Sequence, residues 1–214
     1  MTDKTHQRDV IIMAALPHVV FDGWTLDVLK RGARDEGLGE SVVDILFPQG
    51  PRAAVRHWLG LADRQMLSDI AKADLDAMRI RDRIAFLVRK RLERWTAHRE
   101  AVRRALALSV MPGFAEDGLR AGYATVDAMW RAAGDRATDY NFYTKRGLLA
   151  AVYSSTLLVW LDDHSEGCVD TWAFLDRRIA DVMKVPKAQA KIKEVVSRLP
   201  NPLRILRRAR RRAA

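Results

Sequence analysis

Apolar positions recur at three- and four-residue spacing along almost the whole chain, and no segment alternates in the period-two manner of a strand. The pattern predicts an all-α protein of roughly ten helices. Their expected spans are 7–20, 25–36, 40–46, 51–72, 80–95, 98–110, 116–133, 140–163, 170–184 and 187–198. The first should turn Val10, Ala14 and Leu16 inward, with Pro17 as a site for a kink. Thr25 is placed to cap the second helix and Gly37 to end it in the left-handed conformation. Pro51 suits the first turn of the fourth. Pro200 breaks the last, after which Asn201 can cap a short basic helix.

One segment departs from the amphipathic pattern. In Gly147–Leu161, 11 of 15 residues are apolar, and the four exceptions are Gly147, Ser154, Ser155 and Thr156. Lys145 and Arg146 precede this run, and Asp162 and Asp163 follow it. It is shorter than the ~20 residues a helix needs to span a bilayer, so a transmembrane reading is rejected. Periodicity alone favours a buried core helix with no cavity.

Composition agrees with a folded chain. Of 214 residues, 49% are apolar and 30% charged, which suffices for a substantial core. The single cysteine, Cys168, excludes an internal disulfide. The N-terminus has no apolar stretch followed by a cleavage site, so neither a secretory signal nor a transit peptide is expected. The net charge of +10 is unevenly spread, because Arg198–Ala214 holds seven arginines and no acid. The body is close to balanced. A basic tail suits a polyanion, either a membrane surface or a nucleic acid.

The stretch "GWTLDVLKRGARDEGLGESVVDILFPQG" (Gly23–Gly50), following the first helix, resembles the helix-turn-helix of the tetracycline-repressor (TetR) family. Thr25, Ala33, Gly37 and Phe47 are its markers, with Ala33 and Gly37 small where two helices cross. A DNA-reading helix offers donors to base edges and cations to phosphates. Here Glu40–Leu46 carries two carboxylates, Glu40 and Asp44, and no Lys or Arg occurs from Asp35 to Pro51. The unit is therefore expected to be a vestigial scaffold that does not read DNA.

Further along, "TVDAMWRAAGDRATDYNFYTKRGLLAAVYSSTLLVWLDD" and "TWAFLDRRIADVM" are similar to the ubiquinone (coenzyme Q) biosynthesis accessory family, the ninth of the Coq proteins. "FDGWT" and "FPQG" fit the same family. The resemblance implies a TetR-like fold that binds lipid instead of DNA. The family's mitochondrial members carry a targeting segment, so a bacterial member is implied, cytoplasmic and peripheral to the inner membrane. The expected organisation is a helix-turn-helix-like unit at 1–55, a helical lipid-binding domain at 56–185 and a basic amphipathic tail at 186–214.

For the apolar segment, the resemblance implies a pocket for an isoprenoid quinone intermediate. Leu148, Leu149, Val152, Tyr153, Thr156, Leu157, Trp160 and Leu161 are the expected walls. Helical phase adds Leu87, Leu106, Val110, Met111 and Met129. The motif "TDYNFYTKR" matches the family's docking patch for demethoxyubiquinone hydroxylase, which points to Asp139, Phe142 and Tyr143 as partner-binding residues. The cavity is expected to begin beyond that patch, near Leu148. A homodimer is expected by analogy with TetR-like relatives.

In the tail, Leu203 and Leu206 share a face that Arg204, Arg207, Arg208 and Arg211 flank. Such a helix can lie in a membrane interface. A solvated tail and an RNA-binding tail stay open as alternatives. The five histidines are scattered, and no HExxH, CxxC, Glu-x-x-His pair or Gly-rich phosphate loop is present. No metal, cofactor or catalytic residue is expected. The leading expectation is a non-catalytic lipid-binding accessory protein that presents its lipid to a hydroxylase. The rival is a ligand-responsive TetR-like transcription regulator.

Overall fold

The computed structural model describes residues 3–135 and 140–184, the side chains of residues 140–142 excepted. Within these residues the chain is helical, with no strand. The helices are α1 (Asp3–Asp22), α2 (Leu26–Asp35), α3 (Ser41–Leu46), α4 (Pro51–Ile70), α5 (Ile80–Glu93), α6 (Arg99–Ser109), α7 (Ala115–Ala132), α8 (Tyr140–Leu161) and α9 (Val169–Val182). Each matches a span that the pattern of apolar residues predicts. The helices expected at 187–198 and beyond, with Leu203, Arg204, Leu206, Arg207, Arg208 and Arg211, lie outside the described residues.

The chain divides into two compact units, Met1–Leu175 and Asp176–Ala214. Of the second, only the end of α9 and the two residues after it are described, where Lys184 pairs with Asp181 at 3.0 Å.

Local chemistry explains the helix ends. Thr25 Oγ1 accepts from Val28 N at 3.2 Å and so caps α2. Gly37, at φ +68°, closes it, and Leu38 N donates back to Ala33 O at 2.8 Å. Pro51 occupies the first turn of α4, where no amide donor is needed. α1 runs on through Pro17. Its core stripe is Ile11, Ile12, Ala15, Leu16 and Val19, whereas Val10 and Ala14 are half-buried.

The close crossing of α1 and α2 is made by Gly32, which the sequence reading passed over. A Cβ there would lie 2.6 Å from Ile11 O and 2.9 Å from Ala15 N, both backbone atoms. Gly37 meets nothing within 4 Å and serves its backbone angle alone. Phe47, 2% exposed, closes the small core below α3 as expected.

Polar pairs cross-brace the bundle. Asp9 on α1 accepts from His57 (2.6 Å) and Arg64 (2.7 Å) of α4. Burial lowers the His57 pKa and outweighs the pull of Asp9. Trp24, Trp58 and Trp95 touch in series with ring centres 5.0 and 5.1 Å apart, the first pair tilted and the second edge-to-face, tying the α1–α2 turn and α4 to the residues that follow α5.

The turn after α8 is organised by Asp163, only 6% exposed. Its carboxylate accepts from Ser165 N (2.8 Å), Ser165 Oγ (2.5 Å), Thr171 N (2.9 Å) and Thr171 Oγ1. Burial alone would raise its pKa, but these donors more than offset that, and the carboxyl ionises far below its usual range. Asp162-Asp163-His164 is thus a structural turn. Among the described residues no group of His, Cys, Asp and Glu is placed to hold a metal.

A carboxyl with a depressed folded pKa stabilises the fold fully above its unfolded pKa of about 3.9, and that contribution disappears as pH falls. Asp163→Asn should therefore lower the melting temperature at pH 7, by the equivalent of about 2 kcal/mol for the lost charge-assisted bonds. The gap from the parent should narrow between pH 4 and pH 2. A gap that stays constant across that range would show that ionised Asp163 is not what holds the turn.

Candidate functional site

α8 resolves into three faces. Leu149, Val152, Thr156 and Trp160 form a buried stripe. Leu158, 56% exposed, looks outward with Ala151. Between these runs a third stripe of Tyr143, Arg146, Gly147, Ala150, Tyr153, Ser154, Leu157 and Trp160, spaced at helical intervals, borders a cavity. This explains a helix that is apolar nearly all round, because one side fills the core and another walls an internal space.

The cavity has a volume of about 620 Å³ and is bordered by α4, α5, α6, α7 and α8. α4 contributes Trp58, Leu59 and Ala62, and α5 contributes Arg91 and Leu92, with Trp95 just after it. α6 supplies Val102, Ala105, Leu106 and Ser109. α7 supplies Gly118, Leu119, Ala121, Gly122, Tyr123, Thr125 and Val126. The space exists because small residues face it where the helices come together. A methyl group at Gly122 or Gly147 would touch nothing within 4 Å. Gly118 differs, since a Cβ there would press on Ser109 Cβ at 2.8 Å, so it sets the approach of α6 and α7.

Of the sequence-predicted lipid-binding residues, Leu106, Tyr153, Leu157 and Trp160 border the cavity. Leu87, Met129, Leu149, Val152, Thr156 and Leu161 are buried in the core beside it without facing it. Leu148 is half-buried and off the cavity face. Val110 and Met111 do not reach it either. They follow α6 in an exposed turn, 74% and 51% exposed, because the helix ends at Ser109 and they fall outside its phase. The cavity also starts earlier than expected, at Tyr143 instead of Leu148. Leu119 (77% exposed), Tyr123 (48%) and Tyr143 (71%) form an exposed apolar rim on the cavity.

Among the candidate partner-binding residues, Tyr143 is exposed. Asp139 and the side chain of Phe142 lie outside the described residues.

Two arginines that border the cavity are buried, Arg91 at 6% and Arg146 at 3% exposed. Arg91 Nε donates to Asp63 Oδ1 at 2.9 Å, and Thr125 Oγ1 donates to both oxygens of Asp63 at 3.0 and 2.9 Å. Arg146 pairs with Asp127 at 2.7 Å and with Asp135 at 3.4 Å, and Lys145 pairs with Asp135 at 2.7 Å. Burial works against the Arg91 charge, but Tyr153 and Asp63 beside it more than offset this, and its pKa stays above the ordinary value. Burial pushes the Tyr153 phenol up, against the pull of Arg91, so it is a neutral donor at pH 7. These polar groups carry no arrangement of nucleophile and base.

The two open glycines give a direct test of the cavity's shape. Gly147→Ala should raise stability by up to about 1 kcal/mol, the difference in helix propensity. Gly122→Leu and Gly147→Leu should keep the helical circular dichroism and melting temperature at or above those of the parent. Both should also reduce the uptake of an environment-sensitive apolar dye. Loss of fold in these variants would mean the space beside the glycines is already filled.

A COQ9 family model matches residues 115–186, which include α7 and α8. The ubiquinone biosynthesis protein COQ9, mitochondrial, of Drosophila melanogaster is 35% identical over 182 residues, covering 83% of this chain and 56% of that protein. Its namesake from Homo sapiens is 31% identical over 195 residues, covering 86% of this chain and 59% of that protein. The chain thus spans less than two thirds of the length of these relatives. Among solved structures, a TetR transcriptional regulator from Nitrosomonas europaea superimposes with a TM-score of 0.67 at 21% identity, covering 82% of this chain and 97% of its own. The fold is TetR-like, and the chain belongs to the COQ9 family.

Proposed function

We propose that this chain is a non-catalytic accessory protein of ubiquinone biosynthesis that holds an isoprenoid quinone intermediate in the cavity between α4 and α8. It then offers that lipid to a demethoxyubiquinone hydroxylase at the membrane surface. The observation that carries the reading is the cavity of about 620 Å³ in a COQ9-family chain, walled largely by apolar side chains and aromatic rings. Its size falls in the range of about 300–1,000 Å³ typical of small-molecule sites. Each methylene buried there contributes ~0.8 kcal/mol, so part of a prenyl tail is enough for firm binding. A longer tail can leave along the rim of Leu119, Tyr123 and Tyr143. Tyr143 is also the described member of the hydroxylase-docking motif, so docking and lipid exit share one edge of the molecule. Cytoplasmic placement against the inner membrane belongs to the same proposal.

Protein purified under native conditions should carry prenylated quinones or their precursors, identified by mass spectrometry of the extract. A short-tailed prenyl quinone added to stripped protein should raise its melting temperature. Tyr143→Ala should weaken hydroxylase capture about tenfold or more, the loss expected for an exposed aromatic anchor. Lipid content must be measured alongside, because the same ring borders the cavity. Lipid-free protein that no added quinone stabilises would rule out the lipid role.

The competing reading is a TetR-like regulator, favoured by the fold alone. The outward face of α3 argues against it. Glu40, Ser41, Asp44 and Ile45 are exposed there, Ile45 to 67%. Arg34, the nearest cation on α2, is paired with Glu40 at 3.4 Å. Acids facing duplex phosphates repel, and an exposed isoleucine supplies no hydrogen bond. Residues 1–184 should bind duplex DNA weakly at physiological salt and without sequence preference in a gel-shift titration. Nanomolar, sequence-selective binding would favour the regulator.

A further inference from the structure

The cavity is apolar, but its unpartnered donors are not evenly spread. The indole N–H groups of Trp58, Trp95 and Trp160 make no hydrogen bond among the described residues, yet they are sealed against neighbouring atoms and offer nothing to a guest. Arg91 and Tyr153 differ. Among the described residues only Nε of Arg91 is engaged, by Asp63, and neither its two terminal nitrogens nor the Tyr153 hydroxyl has a hydrogen-bond partner. None of these atoms is among the sealed ones, and both side chains border the cavity. Each shifts the ionisation of the other, and the two are neighbours on that wall. The cavity wall therefore carries a small cluster of accessible donors with no acceptor assigned to them.

The charge of this cluster constrains the guest. Arg91 already has its counter-ion in Asp63, which Thr125 holds with two hydrogen bonds. The guanidinium–carboxylate pair is neutral as a unit. A second anion placed there would face Asp63 across a medium of low dielectric and would have to leave its water behind. A neutral carbonyl oxygen meets neither penalty and can accept from an Arg91 terminal nitrogen and from the Tyr153 hydroxyl. Arg146 offers no competing anion site, since its guanidinium is spanned by Asp127 and Asp135.

We infer that Arg91 and Tyr153 form a head-group subsite that selects amphiphiles with an uncharged, acceptor-bearing head over both plain hydrocarbons and carboxylates. The inference rests on the cavity being a lipid site and adds which end of the lipid the protein recognises. The head binds through donated hydrogen bonds, while the tail binds through burial along α7 and α8.

A matched series of ligands tests this by isothermal titration calorimetry on the stripped full-length protein. The probes are a fully ring-substituted decyl benzoquinone, decylbenzene and decylbenzoic acid at pH 7.5. The quinone should bind about tenfold or more tighter than decylbenzene, as expected for hydrogen bonds from one charged and one neutral buried donor. Decylbenzoate should be the weaker of the two acceptor-bearing ligands. Tyr153→Phe removes only a hydroxyl that has no hydrogen-bond partner among the described residues, so the fold should hold. The advantage of the quinone should shrink several-fold while decylbenzene binding stays the same. Arg91→Gln alone would strand Asp63, so it is paired with Asp63→Asn. This double variant should bring quinone and hydrocarbon close to parity.

Equal affinity for quinone and hydrocarbon in the parent would overturn the subsite while leaving the lipid cavity intact. Preference for the carboxylate would overturn it in favour of an anion site. An unchanged quinone advantage in Tyr153→Phe and in the double variant would place the head elsewhere. Failure of all three ligands to bind would remove the cavity reading and the subsite with it.

Discussion

The pairing of Arg91 with Asp63 is the constraint on which the centre of this molecule depends. A guanidinium 6% exposed cannot stand alone in an apolar interior, and replacing either partner would leave a charge with no compensation. Asp63 sits on α4, Arg91 on α5, and Thr125 reaches Asp63 from α7, so one carboxylate fixes the relative placement of three helices. Those three helices, with α6 and α8, are the walls of the cavity. Polar bonding at one point lets the apolar walls stand apart elsewhere, where packing alone would draw them together.

The second cross-brace does the same at the other side. Arg146, at the start of the apolar run of α8, is held by Asp127 of α7 and by Asp135 just after it. Lys145 shares Asp135 and its carbonyl accepts from Trp130 Nε1 at 3.0 Å. The α7–α8 pair is thereby fixed by ionic contacts near the beginning of α8 and by Trp160, which is fully buried, toward its end. Between these anchors Gly147 and Ala150 keep the wall thin.

The helices were legible in the sequence because apolar spacing marks them all and several carry boundary signals: Thr25 and Gly37 for α2, Pro51 for α4, and Asp163 after α8. The cavity was only partly legible. Apolar periodicity identifies what is hidden from water but does not separate a side chain facing a neighbour from one facing a void. Leu149 and Leu157 read alike in sequence, yet one lies in the core stripe and the other on the cavity. Small and polar interruptions carry the distinction only in part: Gly122, Gly147 and Ser154 face the open space, whereas Ser155 and Thr156 do not. The buried pairs escaped notice for a related reason. Arg146 stands beside Lys145 in what reads as a solvated flank, and only the fold brings Asp127 and Asp135 to it. Val110 and Met111 were misplaced because the end of α6 at Ser109 removes them from its helical phase.

Gly122 and Gly147 stand apart from the other residues of the cavity wall. Neither glycine is required by a backbone angle, and neither is pressed by a neighbour. What they contribute is absence, two side chains' worth of room on facing helices. The capacity of the site can therefore drift by single substitutions without altering the braces that define the fold. The room beside α7 and α8 is set by what grows, or fails to grow, at two positions.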